Sequence, residues 1–147
     1  MTPEPSSPPS PLRVPFHFWP AGLAILLWNC WGFLGAVAAQ VHLIPGMPAD
    51  AVAYLDRQPL WFVLFSDLSP LAGAAGSLAL LVQSRWAPGL FMTQIGLLVL
   101  GNGYDIAMGT SPLLTVAETR LSTAFLLVVL VAQTIYAGRM ARRGLLG

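Results

Sequence analysis

The side chains that could do chemistry in this chain are a few polar and charged residues embedded in apolar sequence. Asp67 is the clearest of them, because it stands about two turns inside an apolar run, where an ionisable group is costly and is therefore a candidate for function. Pro70 follows it and, having no N–H, leaves the carbonyl of Ser66 without its helical hydrogen bond. The complete candidate cluster comprises Asn29, Asp67, Asn102, Asp105, Glu118 and Arg120.

Two interpretations of this polar cluster are open. In the first, it lines a pocket that opens to one side of a membrane, where Asp67 and Arg120 bind or gate a solute. In the second, it is a set of hydrogen bonds and ion pairs that holds helices together, with Arg120 neutralising one or two carboxylates. Polar pairs of this kind contribute roughly 0.6–2 kcal/mol each in membrane bundles.

No residue pattern of an enzyme, a metal site or a cofactor site stands out. The single cysteine, Cys30, lies in an apolar run, and the two histidines, His17 and His42, lie at opposite ends of one predicted helix, too far apart to bind one metal ion. The spacings HExxH and CxxC and a glycine-rich phosphate loop do not occur. We therefore predict a non-enzymatic protein without catalytic residues, metal or cofactor.

The candidate cluster lies within apolar segments that predict helices. The 147 residues are 56% hydrophobic and 9% charged, whereas soluble domains carry about 25% charged residues. Four apolar runs, at about 18–41, 60–83, 88–108 and 114–137, each approach the roughly 20 residues that cross a bilayer. The sequence predicts an all-α fold, a four-transmembrane-helix bundle within residues 16–139 that contacts the lipid bilayer directly.

The segments outside the four apolar runs predict how the chain is oriented in the membrane. Residues 1–15 are a Pro/Ser-rich tail and residues 140–147 a basic tail. The positive-inside rule places both tails in the cytoplasm of a bacterium, in a multi-pass inner-membrane protein, because most arginines fall on one side. Residues 48–58 predict a short amphipathic helix on the outer interface, with an irregular loop as the alternative. The arginines on the cytoplasmic side are Arg13, Arg85, Arg139, Arg142 and Arg143.

Small residues recur at helical spacing in the first two runs. Gly32 and Gly35 lie in the first, and Gly73 and Gly76 in the second. Because small residues let helix backbones approach closely, these four predict helix packing, either inside the bundle or against another protein.

Short motifs along residues 20–110 resemble a known group of proteins. They are Leu26-Leu27-Trp28-Asn29 with Gly32, Pro59-x-Trp61, Gly73 with Gly76, and Ser84-Arg85-Trp86-Ala87 followed by Phe91 and Gly96. This succession looks like a group of small proteobacterial four-helix inner-membrane proteins that are often labelled sugar transporters. The resemblance implies a bacterial inner-membrane location and four spans.

Two functions follow as expectations. The first is an accessory or structural subunit of a larger respiratory or photosynthetic membrane complex, with protein partners in that complex or in a homo-oligomer. The alternative is a small-solute transporter or channel with an outward-facing polar pocket. The net charge of +1 argues against a nucleic-acid partner, which requires a basic stripe.

Overall fold

Five α-helices make up the protein in a computed structural model, which describes residues 14–111 and 116–147. The helices are α1 (Phe18–Gln40), α2 (Ala49–Arg57), α3 (Leu60–Leu81), α4 (Ala87–Ala107) and α5 (Ala117–Arg142). The described residues contain no strand, so the prediction of an all-α fold is confirmed. Most of the predicted N-terminal tail, residues 1–13, and the predicted start of the last helix, residues 114 and 115, lie outside the described residues.

In the part of the chain that the structure describes, three helices are long and apolar enough to cross a membrane, namely α1, α3 and α5. This supports a membrane protein with transmembrane helices. α4 has 21 residues but does not belong to this group, since Gln94, Asn102 and Asp105 lower its apolar content. Within residues 14–111 and 116–147, the expectation of four spans is therefore met by composition in three helices.

Prolines define where several helices begin. α2 starts directly after Pro48 and has Asp50 in its first turn, where a negative charge is favourable near the positive end of the helix dipole. A helix at residues 48–58 was predicted, and the structure confirms it. Pro88 occupies the first turn of α4, a position where the missing N–H costs nothing.

The long helices form an antiparallel set in which α3 is central. α3 packs against α1 on one side and α4 on the other, and α4 packs against α5. α1 and α5 meet through long side chains: the Trp28 and Phe125 rings are 6.0 Å apart, and His17 Nδ1 lies 3.3 Å from the Tyr136 hydroxyl.

The two ends of this bundle differ in charge. We call one the acidic end, with Asp50, Asp56, Asp105 and Glu118, and the other the arginine end, with Arg85, Arg139, Arg142 and Arg143.

The arginine end is closed by an apolar core, made of Phe18, Leu80, Ala87, Phe91, Ala137, Met140, Leu145 and Leu146. The chain reaches this core after α5 by turning back at Gly144, whose φ of 72° suits glycine. The Gly147 N–H donates to the Gln83 carbonyl at 2.9 Å, and the Arg85 N–H donates to the Gly147 carbonyl at 3.0 Å. Within the segment 140–147, which carries Arg142 and Arg143, residues 140–142 complete α5, and Leu145 and Leu146 pack into the core.

Candidate functional site

A buried polar cluster joins the four long helices at mid-length. Asn29 of α1, which is 2% exposed, donates from Nδ2 to the Ser77 hydroxyl of α3 at 3.3 Å and to Gln133 Oε1 of α5 at 3.2 Å. Gln94 of α4 donates from Nε2 to Asn29 Oδ1 at 2.7 Å. We call Asn29, Ser77, Gln94 and Gln133 the central amide cluster.

Glycine makes room for this cluster on α3. A Cβ atom at Gly73 would collide with the side chains of Asn29 and Gln94, and the Ser77 hydroxyl donates to the Gly73 carbonyl at 2.7 Å. One turn on, a Cβ at Gly76 would lie 3.1 Å from the Phe91 ring. The glycines expected to pack helices therefore differ in surroundings, since a Cβ at Gly32 or Gly35 would meet nothing within 4 Å among the described residues.

One acceptor of the central amide cluster has no partner. Gln94 Oε1 is buried and accepts no hydrogen bond from any described residue, although the Gln94 backbone carbonyl accepts one from the Ser69 hydroxyl at 3.0 Å. Leaving such a group unpaired costs about 1–3 kcal/mol. Gln94 lines a cavity of about 160 Å³, the inner cavity, together with Asn29, Ser66, Ser69 and Trp28. The unpaired oxygen thus belongs to a residue at a cavity wall.

A second cavity of about 240 Å³ continues from the first toward the acidic end. This middle cavity shares Ser66, Ser69 and Leu98 with the inner one and adds Gln40, Asn102 and Asp105 among its walls. Gln40 Nε2 donates to Asp67 Oδ1 at 2.9 Å, so Asp67, which does not itself line this cavity, is bonded to one of its wall residues.

A third cavity, the outer cavity, has a volume of about 500 Å³ and is roofed by α2. Tyr54 and Asp105 line both the outer and the middle cavity. The Tyr54 hydroxyl donates to Asp105 Oδ2 at 2.7 Å, and the Thr110 hydroxyl lies 3.2 Å from Asp105 Oδ1. Burial raises the pKa of Tyr54 above its ordinary value, and the hydrogen bond and charge of Asp105 raise it further. The phenol therefore stays protonated and able to donate.

The structure distributes the candidate residues over several places. Asn102 and Asp105 line the middle cavity, although the Asn102 amide donates within its own helix to the Leu98 carbonyl at 2.8 Å. Asn29 lies deeper, in the central amide cluster. Glu118 and Arg120 are exposed at the start of α5 and line none of the three cavities.

The candidate cluster read from the sequence did not include Tyr54, Ser77, Gln94 or Gln133, which the structure places at this site. The signal for Gln133 was present, because α1, α4 and α5 each carry one amide near the middle of an apolar stretch. Buried amides in apolar helices require partners, and amides at equal depth are the natural ones. No comparable pattern in the sequence pointed to Tyr54, since its hydrogen-bond partner, Asp105, is 51 residues away in the sequence.

Comparisons with known proteins give no information about the function of this site. No family model, no curated protein and no solved structure matches the chain. Among residues 14–111 and 116–147, no group of three or more His, Cys, Asp or Glu side chains could hold a metal ion. The arrangement that remains is a series of mostly apolar cavities with a few polar side chains in their walls, ending at a buried amide cluster.

Proposed function

We propose that this chain is an integral membrane protein that takes up a small solute from the acidic end of its bundle. In this proposal all four long helices span a bacterial inner membrane. α4 is joined to α3 by a short turn and is roughly 31 Å long at 1.5 Å per residue, which matches a hydrocarbon core of about 30 Å. Its polar residues Gln94, Asn102 and Asp105 line cavities inside the protein.

The arginine end faces the cytoplasm in this proposal. The positive-inside rule favours it, because Arg85, Arg139, Arg142 and Arg143 all lie there. The acidic end then faces outward, and α2 lies at the outer interface with its amphipathic sequence. Both ends of the chain are cytoplasmic.

The observation that carries the proposal is the succession of three cavities. The outer and middle cavities share Tyr54 and Asp105, and the middle and inner cavities share Ser66 and Ser69. From Asp105 to Gln94 along α4 the path descends roughly 16 Å at 1.5 Å per residue, about half of the hydrocarbon thickness. Beyond the central amide cluster the apolar core closes the arginine end. This geometry supports a transporter that is open outward and closed inward.

Thiol labelling tests the proposal. Cys30 is replaced by alanine, and single cysteines are introduced as Asn102→Cys, at the middle cavity, and Val99→Cys, on the exposed face of the same helix. In vesicles with the acidic end outside, a charged, membrane-impermeant reagent should modify the thiol at position 102 at least about tenfold faster than the thiol at position 99, because lipid keeps a thiol protonated and excludes ions. Equal rates at the two positions would contradict the proposal.

A second candidate is the accessory subunit of a larger membrane complex. The observation that favours it is the face of α1 that carries Gly35, where space is open beside the glycine, and Trp31, which is 77% exposed. A helix of a partner protein could approach closely there. Gly35→Leu should then release partners that co-purify from the native membrane, while Val37→Leu on the opposite side of the same helix should not. Purification without stoichiometric partners would exclude this candidate.

A further inference from the structure

α1 and α5 enclose a groove in the half of the bundle toward the arginine end, which we call the α1–α5 groove. Its volume is about 430 Å³. It extends from the contact between the Trp28 and Phe125 rings, 6.0 Å apart, to the contact between His17 Nδ1 and the Tyr136 hydroxyl, 3.3 Å apart. From His17 to Trp28 the groove runs roughly 17 Å at 1.5 Å per residue, which is close to one leaflet of a hydrocarbon core about 30 Å thick.

Small apolar side chains give the groove its width. Ala21 and Ala24 line it from α1, and Ala132 lines it from α5. Gln133 also lines the groove, but it is only 5% exposed, and its Oε1 accepts a hydrogen bond from Asn29 inside the bundle. Apolar walls of this kind favour a hydrocarbon chain over water or a polar solute.

Positive charge borders the groove at the arginine end. Val129, Ala132 and Tyr136 line it from α5 at helical spacings of three and four residues. Arg139 and Arg143 continue that series at the same spacings, and Arg143 lies close enough to the Tyr136 hydroxyl to act on it electrostatically. Neither arginine forms an ion pair with a described residue, and no described Asp or Glu lies at this end. An anion at the end of the groove therefore meets two guanidinium groups without competing carboxylates.

We propose that the α1–α5 groove binds an acyl chain of an anionic phospholipid in the leaflet at the arginine end, with the lipid phosphate beside Arg139, Arg143 and Tyr136. Guanidinium groups bind phosphate through paired hydrogen bonds, and basic sites between transmembrane helices recognise anionic headgroups. A zwitterionic lipid is bound less well, because its net charge is zero. The inference goes beyond solute uptake and requires only that α1 and α5 lie in a bilayer.

Photo-crosslinking of the unmodified protein tests the inference. Two probes carry the same diazirine in the middle of one acyl chain, one on phosphatidylglycerol, which is anionic, and one on phosphatidylcholine, which is zwitterionic. Each is added in trace amount to phosphatidylcholine vesicles that contain the protein, and mass spectrometry locates the crosslinked residues. The measured quantity is crosslinking in the groove divided by crosslinking at Leu71, an exposed residue of α3 outside the groove. This ratio should be at least about fivefold higher for the phosphatidylglycerol probe, the factor given by about 1 kcal/mol for one arginine.

Two arginine variants separate the site from the general charge of this end. Arg143→Gln should lower the groove ratio for the phosphatidylglycerol probe about fivefold, by the same conversion. Arg85→Gln is the matched control, because it removes the same charge from the turn between α3 and α4, and it should leave the ratio unchanged.

Two alanine variants test whether the groove itself holds the chain. Ala132→Phe fills the groove and should lower the ratio for both probes. Ala124→Phe is the same substitution on the exposed surface of the same helix, outside the groove, and should have no effect.

Three results would overturn the inference. Equal groove ratios for the two probes would mean that any lipid fills the groove. Equal effects of Arg143→Gln and Arg85→Gln would mean that the charge of the whole end attracts the lipid and that no site exists. Absence of crosslinks in the groove with either probe would mean that protein covers it, such as a second copy of the chain. None of these results bears on the solute path, which is tested by labelling of the Asn102→Cys variant.

Discussion

The two halves of the bundle are built from the same four helices but are packed in opposite ways. Toward the acidic end, Phe62 is 3% exposed and yet lines both the outer and the middle cavity. Toward the arginine end, Phe91 is fully buried in a core that also holds Leu145 and Leu146. Burial alone therefore does not distinguish a packed core from a cavity wall, and the function we propose depends on this distinction.

The residue types around the central amide cluster explain why close packing on one side of it gives way to cavities on the other. Gly73 removes a side chain from α3, so that Asn29 and Gln94 fit against the helix. On the arginine side of this point Gly76 brings the Phe91 ring against α3, and aromatic and aliphatic side chains fill the space. On the acidic side, Ser66 and Ser69 face cavities instead. The change from large apolar residues on the arginine side to small polar residues on the acidic side thus leaves cavities in the acidic half of the bundle.

The largest effect is expected from Phe91→Ala in the packed half. Removing a buried ring from a close-packed core costs about 3–5 kcal/mol in the free energy of unfolding, because a new void remains. Phe62→Ala should cost less, since it enlarges cavities that already exist. Unfolding of both variants by titration with a denaturing detergent measures the difference. An equal cost for the two phenylalanines would show that the halves do not differ in packing.

A smaller effect is expected at the boundary between the halves. Gly73→Ala introduces a Cβ into the space of Asn29 and Gln94, and overpacking of this kind costs about 1–3 kcal/mol. Gly32→Ala is the control, because nothing lies within 4 Å of its added Cβ among the described residues, and alanine favours helix by up to about 1 kcal/mol over glycine. The same detergent titration applies. Comparable destabilisation by both substitutions would remove the special role of Gly73.

The smallest effect is expected at the roof of the outer cavity, where Tyr54 of α2 donates to Asp105. Tyr54→Phe removes one hydrogen bond, worth about 0.5–1.5 kcal/mol, and should speed labelling of the thiol at position 102 by up to about tenfold because α2 undocks more often. The rate of labelling at neutral pH in the Asn102→Cys background measures this effect. An unchanged rate would mean that α2 does not control access to the middle cavity.

The same contact predicts a dependence on pH. The pKa of Tyr54 is raised above its ordinary value of 10.0 when α2 is docked, so the docked form prefers the protonated phenol. The contribution of Tyr54 is therefore complete below about pH 10 and declines above it, where an undocked phenol ionises. Dividing the labelling rate of Asn102→Cys by the rate of the same variant with Tyr54→Phe added cancels the titration of the thiol itself. This ratio should change only above about pH 10.

The helices could be predicted from the sequence, but the rotation of each helix about its axis could not. Apolar runs and proline positions located α1, α3 and α4 to within a few residues, and Pro48 with Asp50 located α2. However, α1 is apolar on all sides, so no amphipathic pattern shows which way Asn29 points. The sequence grouped Asn29 with Asp67 and Asp105, whereas its hydrogen bonds go to Gln94, Ser77 and Gln133.

The cavities were beyond prediction for a related reason. A cavity exists where side chains fail to meet, and that depends on the distance between helices as well as on residue type. Ser66 and Pro70 indicated a polar site on α3. The hydrogen bond that brings α2 to this region joins Tyr54 to Asp105, which are 51 residues apart in the sequence. Only the folded chain brings these groups together.

The difference between the two halves is tested most directly by hydroxyl-radical footprinting of the unmodified protein in lipid nanodiscs, read residue by residue with mass spectrometry. Phe62 and Phe91 are the same residue type and are almost equally inaccessible, at 3% and 0% exposure, so water in adjoining cavities is the main difference between them. Our account predicts that Phe62 is oxidised much faster than Phe91. Equal rates of oxidation at the two rings would contradict it.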